Sequence, residues 1–292
     1  MKYKNKYIIT LVLVLIIFFT LFAFWPFIFN FVISFAKTDL MTKFKFVGLE
    51  NYRYLFKDPL FSIAIRNNIV YLVVSISIGL VTSLLISSLI HRTYGISKRF
   101  YTAFFFIPVI TSIVAASIIW NLLYYPTIGV FASLLTNVFG IKPQIFLHDP
   151  KIALFCIMMV DIWRDTGIRV IILLAGMEAI PDTLYEASRL DGASPLAQFF
   201  KITLPLLRPQ IVFLAAISSI SSIRLFTQIY MMSDMHSGGP MNSTQTIAFR
   251  IYNEAFSNFR FGYAATLAMV MFFILSGLVY LQIRAFEKKW DY

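Results

Sequence analysis

Long apolar runs, separated by shorter polar segments, set the pattern of this chain. The six runs cover residues 7–36, 67–90, 101–125, 151–180, 206–232 and 262–283. An α-helix needs about 20 residues to cross the apolar layer of a bilayer, and each run reaches that length. The pattern therefore predicts an all-α integral membrane protein with six transmembrane helices.

The segments between and within the runs refine this picture. Pro108 lies inside the third run and predicts a kink there, because proline cannot donate a helical hydrogen bond. Residues 126–150 contain several Pro and Gly residues and predict an external loop. Residues 37–66 are mixed and polar, which is typical of a short piece on the membrane surface.

Composition supports a membrane location. The chain is 59% hydrophobic and only 13% charged, and its mean hydropathy is +0.77. A soluble domain could not cover that much apolar surface. The net charge of +11 would suggest nucleic-acid binding in a soluble protein, but here many basic residues flank the apolar runs, so no nucleic-acid partner is expected. The one cysteine, Cys156, excludes an internal disulfide and a cysteine metal cluster.

The distribution of basic residues predicts the orientation. Lys and Arg are denser in segments 1–6, 91–100, 180–208 and 284–292 than in segments 36–66, 126–151 and 233–263. The positive-inside rule then puts both termini, and residues 180–208, in the cytoplasm. A cleaved signal peptide is the alternative for the N-terminus. However, the first run is too long for one and lacks a convincing cleavage site.

The polar segment between the fourth and fifth runs predicts two short helices joined by a turn. Thr183-x-x-Glu186 has the form of a capping box, which would start the first helix. Asp191-Gly192 is a turn signal, because glycine tolerates a positive φ. Ser194-Pro195 predicts the start of the second helix, and Pro205 predicts its end.

The same segment carries a resemblance to a known family. Glu186-Ala187-Ser188, three residues, Gly192, nine residues and Ile202-x-Leu204-Pro205 resemble the EAA loop of ATP-binding-cassette importer membrane subunits. The one departure is Ser188, where that family has alanine. Two further patterns, F-x-G-L-x-N-Y in residues 46–52 and G-G-P-x-x-x-T in residues 238–244, resemble the carbohydrate-type subunits. The similarity covers most of the chain.

The resemblance implies a type I importer permease with a cytoplasmic coupling helix. It implies that eight residues of this loop couple the chain to an ATPase: Glu186, Ala187, Ser188, Asp191, Gly192, Ile202, Leu204 and Pro205. It also implies a second, homologous permease as heterodimer partner, two ATPase subunits, an extracytoplasmic substrate-binding protein, and a mono- or oligosaccharide moved by alternating access. The implied regions are 1–66, an N-terminal helix with an external segment, 67–286, the transport core, and 287–292, a cytoplasmic tail.

The chain contains no nucleotide-binding or catalytic motif of its own. G-x-x-x-x-G-K-[ST] is absent from the sequence, so ATP and Mg²⁺ would be bound by the partner ATPase and no cofactor or metal is expected here. No catalytic pair is recognisable either. The sequence therefore favours a transport subunit over an enzyme.

The fourth run is unusual because it carries charges at bilayer depth. Asp161, Arg164 and Asp165 can share one helix face, and a charge there is costly unless it is paired or faces a cavity. One interpretation is an ion pair of Arg164 with either aspartate that locks helix packing. The other is a polar substrate pathway. The candidate pathway residues are Asp161, Trp163, Arg164, Asp165, Arg224, Gln228 and Tyr230.

The same charged residues are compatible with a second function that uses a different energy source. In an ion-coupled secondary transporter of a polar solute, Asp161 or Asp165 would carry the ion. Many such transporters show an internal repeat, and none is recognisable in this sequence. Both functions predict a multi-pass protein of the cell membrane in contact with lipid.

Overall fold

The computed structural model describes residues 2–42, 44–140, 145–233 and 237–287, and most of them are helical. Residues 288–292 of the predicted tail lie outside this description. The α-helices are α1 (Lys2–Phe19), α2 (Trp25–Ser34), α3 (Glu50–Leu55), α4 (Pro59–His91), α5 (Gly95–Phe106), α6 (Ile113–Leu123), α7 (Val130–Phe139), α8 (Ala153–Glu178), α9 (Asp182–Leu190), α10 (Pro195–Gln198), α11 (Leu204–Leu206), α12 (Arg208–Ile223), α13 (Thr227–Met232), α14 (Ile247–Tyr252) and α15 (Phe261–Glu287). Two short strands, β1 (Ala36–Thr38) and β2 (Phe44–Phe46), pair antiparallel.

The predicted all-α membrane fold is confirmed. Among the residues that the structure describes, three helical stretches are long and apolar enough to cross a membrane: Tyr7–Ser34, Pro59–His91 and Phe261–Arg284. Two further stretches qualify if each bent helix pair counts as one span. Helix α8 has 26 residues, which gives a length of about 39 Å. It is therefore also long enough to cross, although it carries several charged side chains.

The third apolar run is broken rather than kinked. The helical stretch Gly95–Ile110 and the helix Ile113–Leu123 meet at an angle of 96°. Pro108 lies in a 3₁₀ turn, Ile107–Ile110, and the next residue, Thr111, is extended. The bend predicted at Pro108 is present, but the helix is interrupted there rather than only kinked, because proline interrupts the hydrogen-bond ladder and the backbone after it leaves the helical region.

The chain divides into two compact units, which we describe separately. The first comprises Met1–Ser62 and Arg250–Ile274, and the second comprises Ile63–Phe249 and Leu275–Tyr292. In the first unit the hairpin of β1 and β2 follows α2. The Asn51 amide fixes it by donating hydrogen bonds of 2.9 Å to the carbonyl oxygens of Ser34 and Ala36. The polar segment 37–66 thus contains a small ordered fold.

A buried ionic cluster stabilises the first unit. Arg250 Nη2 lies 2.8 Å from Asp58 Oδ2 and 2.9 Å from Glu254 Oε1. Arg260 Nη1 approaches Glu254 Oε2 at 3.4 Å, and the Tyr263 hydroxyl donates to Asp58 at 2.7 Å. Arg250 and the half-exposed Arg260 balance the two buried carboxylates, which lowers the cost of burying Arg250, Asp58 and Glu254.

The cluster also changes the acid–base behaviour of Asp58. Burial alone would raise its pKa, but the hydrogen bonds from Tyr263 and Arg250 and the charge of Arg250 outweigh that effect and lower the pKa below its ordinary value. A carboxyl with a lowered pKa in the folded state stabilises the fold above its unfolded pKa. That contribution is lost as the pH falls through the folded pKa.

The second unit is organised around α8. Its core contains large buried side chains of α8, α4 and α13, among them Ile157, Tyr71 and Ile229. Gly167 permits the close approach of α8 to the end of α5, because a Cβ at this position would lie 2.2 Å from the Phe105 carbonyl oxygen. Helix α8 is therefore fixed where its polar residues face other helices of the same unit.

The fifth apolar run is also discontinuous. Helix α12 ends at Ile223 and α13 begins at Thr227, so the prediction of one helix over residues 206–232 is wrong. Asn68 stabilises the break: its Nδ2 donates to the carbonyl oxygens of Ser222 at 3.0 Å and Ile223 at 3.4 Å, and its Oδ1 accepts from the Ile247 amide at 2.9 Å. These bonds satisfy backbone groups that the helix end leaves free.

Replacing Asn68 by alanine should destabilise this break. The change removes one side chain that satisfies several buried backbone groups, and each unsatisfied group costs about 1–3 kcal/mol. We expect a clearly lower unfolding temperature of the purified protein in detergent. Asn121→Ala is a matched control, because that amide makes a single bond of 3.4 Å to Met231. Equal effects of both changes would contradict the role of Asn68.

Candidate functional site

The segment between α8 and α12 folds as two short helices joined by a tight turn, as the sequence predicts. Helix α9 ends at Leu190, and Gly192 has a φ of +78°. The Ala193 amide donates to the Ser188 carbonyl oxygen at 2.9 Å, which closes the turn. Ser194 is the N-cap of α10, and its Oγ accepts from the Ala197 amide at 3.3 Å. We call residues 182–206 the interhelical loop.

The predicted capping box does not form. Helix α9 already begins at Asp182, and its N-cap is Pro181, which provides no side-chain acceptor. Thr183 therefore lies inside the first turn, where its hydroxyl cannot cap the helix. Glu186 is exposed and makes no hydrogen bond or ion pair to the residues that the structure describes. Its carboxylate is thus available to a partner.

Ser188 connects the two helices of the interhelical loop. Its hydroxyl donates to the Tyr185 carbonyl oxygen at 2.9 Å and accepts from Gln198 Nε2 at 2.7 Å. The Tyr185 hydroxyl is also hydrogen-bonded to Thr203 Oγ1 at 2.8 Å. The residue that departs from the family pattern therefore provides a hydrogen bond between α9 and α10, and alanine could not provide it.

Pro205 does not end the second helix. A π-helical turn, Phe199–Thr203, precedes it, and α11 continues through it to Leu206. Such a turn displaces the carbonyl that the proline ring would otherwise contact. The chain bends by 64° after Leu206, where α12 begins. The prediction that the helix ends at Pro205 is therefore wrong by one residue, because α11 ends at Leu206.

Large apolar side chains on the interhelical loop are exposed, which the sequence analysis missed. Leu190 is 90% exposed, Leu196 is 70% exposed and Phe200 is 57% exposed. Large apolar side chains exposed to this extent are candidates for contact with another protein. Their position on both sides of the Asp-Gly turn was the signal in the sequence.

The polar residues of α8 form two separate arrangements rather than one. Asp161 is buried, and it accepts hydrogen bonds from the Tyr71 hydroxyl and from Gln228 Nε2, the latter at 2.5 Å. Arg164 pairs with its neighbour Asp165, with Nη2 2.9 Å from Oδ1. The ion pair therefore excludes Asp161, which is held by uncharged donors.

The remaining predicted pathway residues are spread along the same unit. The Trp163 ring lies 5.6 Å from the ring of Trp120 and is partly exposed. The Tyr230 ring packs 5.4 Å from Phe226. Arg224 is exposed beside the break in the fifth run and makes no ion pair within the described residues. The structure thus joins Asp161 to Gln228 but does not bring Arg224 to them.

Arg169 is a further buried charge. Its side chain is nearly inaccessible, Nη2 lies 3.5 Å from Ser218 Oγ, and Nη1 has no hydrogen-bond partner among the described residues. A Cβ on Gly79 would lie 2.2 Å from Nη1. Glycine at position 79 therefore makes the space that this guanidinium occupies.

No metal centre is visible in the described part of the chain. Within residues 2–42, 44–140, 145–233 and 237–287, no three His, Cys, Asp or Glu side chains converge as metal ligands would.

Comparison with known proteins gives consistent matches over most of the chain. The sequence model of the family described as "Binding-protein-dependent transport system inner membrane component" matches residues 75–291. The probable ABC transporter permease protein YurN of Bacillus subtilis is 30% identical over 97% of this chain and 97% of its own length. The lactose transport system permease protein LacF of Rhizobium radiobacter is 31% identical over 84% of this chain and 82% of its own.

Further matches include a permease of a transport system for a phosphorylated substrate and a chain of a solved structure. The sn-glycerol-3-phosphate transport system permease protein UgpA of Pectobacterium atrosepticum is 27% identical over 85% of this chain and 82% of its own. A chain of a bacterial ABC transporter that imports the acidic polysaccharide alginate superposes with a TM-score of 0.86, at 21% identity, over 99% of this chain and 98% of its own. That likeness shows a shared fold.

Proposed function

Because the chain belongs to the family of inner-membrane components of binding-protein-dependent transport systems, we propose that it is the permease that moves a carbohydrate through an ATP-driven importer by alternating access. A separate ATPase supplies the energy. The observation that carries this proposal is the structure of the interhelical loop. Its helices expose the Glu186 carboxylate, which has no partner among the described residues, and the side chains of Leu190 and Leu196.

The interhelical loop is built as a lever. Ser188 and Gln198 connect its two helices, and Tyr185 connects the first helix to the turn before α11. A push on α9 is therefore transmitted to α12 rather than absorbed by the loop. We assign the ATPase contact to the eight residues Glu186, Ala187, Ser188, Asp191, Gly192, Ile202, Leu204 and Pro205, with Leu190 and Leu196 added as apolar anchors.

The partners follow from the same role. We propose a second permease to complete the pathway, two ATPase subunits beneath the pair of permeases, one of them in contact with the interhelical loop of this chain, and a binding protein on the opposite side. Both termini and the loop would lie in the cytoplasm. The region 67–286 is our proposal for the transport core, and the match to the family model begins close to its start, at residue 75.

A carbohydrate substrate is supported by the relatives and by the polar residues of α8. The similar permease LacF transports lactose, and the structural neighbour imports alginate. Sugars are recognised by hydrogen bonds from charged or amide groups and by aromatic rings. Arg164, Asp165 and Trp163 are only partly buried and provide these groups on α8.

Uptake by the reconstituted importer distinguishes the proposal from ion-coupled transport. Proteoliposomes with the permeases, the ATPase and the binding protein would be tested with lactose and with an alginate oligosaccharide. Uptake that needs internal ATP and persists when ion gradients are dissipated supports the proposal. Uptake that stops with the gradients, at constant ATP, supports a secondary transporter with Asp161 or Asp165 as ion carrier.

Removing the Arg164 side chain tests the substrate pathway. If Arg164 contacts the sugar, Arg164→Ala should change the relative uptake of the two sugars by about tenfold, the effect of losing about 1.4 kcal/mol of hydrogen bonding. The double variant Arg164→Ala/Asp165→Asn separates this from packing, because it removes the pair without leaving an isolated charge. Restoration of the original preference in the double variant would favour a purely structural ion pair.

A further inference from the structure

A polar cavity of about 450 Å³ lies between the end of α4 and the interhelical loop. Its lining includes residues at and just after the end of α4, among them His91, Arg92 and Tyr94, and residues of the interhelical loop, among them Asp182, Tyr185 and Arg189. The contact that we assign to the ATPase uses other residues of the loop. The cavity therefore needs an explanation of its own.

The cations of this cavity are uncommitted. Arg92 and Arg189 form no ion pair with any residue that the structure describes. The buried Nδ1 of His91 has no hydrogen-bond partner in the same part of the chain. Against two guanidinium groups, the lining contains a single carboxylate, Asp182. The cavity thus has an excess of positive charge and unused hydrogen-bonding groups.

The walls of the cavity are fixed by hydrogen bonds that do not involve those cations. The Tyr185 hydroxyl is bonded to Thr203 Oγ1 at 2.8 Å. The Gln198 amide donates to Ser188 Oγ at 2.7 Å and to the Tyr185 carbonyl oxygen at 3.3 Å. A site whose frame is satisfied and whose charged groups are free is suited to a ligand rather than to internal packing.

We infer that this cavity binds a phosphate group. Guanidinium groups form paired hydrogen bonds to phosphate oxygens. The volume accommodates a small phosphate ester or the headgroup of an anionic lipid. These two sources share one chemistry, because each presents a phosphate with two or more acceptor oxygens.

Binding at this position would regulate transport. A phosphate held by Arg92 and Arg189 links the end of α4 to α9 and opposes any movement of the interhelical loop relative to α4. The bound state should therefore have a lower transport rate. This consequence depends on the proposed coupling role, whereas phosphate binding itself does not, so the two can fail separately.

The binding experiment uses the complete importer in detergent and radiolabelled inorganic phosphate in equilibrium dialysis. Phosphate sites of the ATPase are the same in every sample, so the difference between the parent protein and Arg92→Gln reports on the cavity. We expect one site per copy of this chain in the parent and at least tenfold weaker binding in Arg92→Gln and in Arg189→Gln. Arg99→Gln, an exposed arginine outside the cavity, should leave binding unchanged.

The lipid experiment distinguishes the two sources. Importers would be reconstituted in phosphatidylcholine vesicles with and without phosphatidylglycerol, and uptake would be measured with and without internal inorganic phosphate. Inhibition by phosphate alone identifies a soluble ligand, and inhibition by phosphatidylglycerol alone identifies a lipid headgroup. In either case, Arg92→Gln must relieve the inhibition of uptake.

Two outcomes would overturn the inference. One is that neither phosphate source binds to the parent protein. The other is binding that Arg92→Gln and Arg189→Gln leave unchanged. If Arg92→Gln fails to assemble, Arg92→Lys keeps the charge but cannot form the paired bonds, and it should weaken binding while retaining assembly. Reduced subunit association without a change in phosphate binding would assign these arginines to the ATPase interface instead.

Discussion

Replacing Glu186 by lysine should abolish uptake while the permease remains folded in the membrane. The side chain is exposed and has no partner among the described residues, so the change should alter the free energy of unfolding by less than about 0.5 kcal/mol. At an interface, however, reversing a charge places like charges together, which costs several kcal/mol of association energy. Uptake should therefore fall by much more than tenfold.

The measurement combines uptake with the ATPase rate and with copurification of the ATPase. Glu186→Gln is the matched control, because it keeps the shape and removes only the charge. It should retain part of the activity. Normal coupling of ATP hydrolysis to uptake in Glu186→Lys would show that Glu186 does not contact the motor.

Replacing Gly192 by valine should have a comparable effect for a different reason. Gly192 has a φ of +78°, a conformation that a β-branched residue adopts only at a cost of roughly 1–3 kcal/mol. A Cβ there would meet no other atom within 4 Å, so the penalty comes from the backbone alone. The turn between α9 and α10 should open, and the loop should lose its shape.

Gly192→Asn isolates the backbone effect. Asparagine tolerates the left-handed region better than other residues with a side chain, so this variant should keep most of the uptake. We would measure uptake and the amount of ATPase that copurifies with each variant. Equal losses for Val and Asn would point to contact of the turn with a partner rather than to its conformation.

Local patterns in the sequence predicted most of the fold. Apolar length located the helices, and Asp191-Gly192 and Ser194-Pro195 located the turn and the start of α10. Pro108 indicated the place where the third run bends but not the full interruption of its helix, and the break in the fifth run was not predicted. The second break is stabilised by Asn68, which lies 154 residues before Ser222, and a pattern within a short window cannot show such a contact.

The candidate site was predictable to a similar extent. The charges of α8 were evident from their rarity at membrane depth. Their partners were not, since Tyr71 lies 90 residues before Asp161 and Gln228 lies 67 residues after it. The prediction of a capping box was wrong for a different reason. The local motif is present, but α9 begins at Asp182, so Thr183 lies inside the helix and cannot cap it.

In the proposed importer, the bend of 64° after Leu206 would set the direction in which a movement of the interhelical loop reaches α12. The helical stretch Pro195–Leu206 is not collinear with α12. A force along this stretch would therefore act mainly across the axis of α12. A small movement of the proposed ATPase would then tilt α12 instead of moving it along its axis. Tilting a helix can open a transport pathway on one side of the membrane while closing it on the other side. Transport by alternating access requires this geometry.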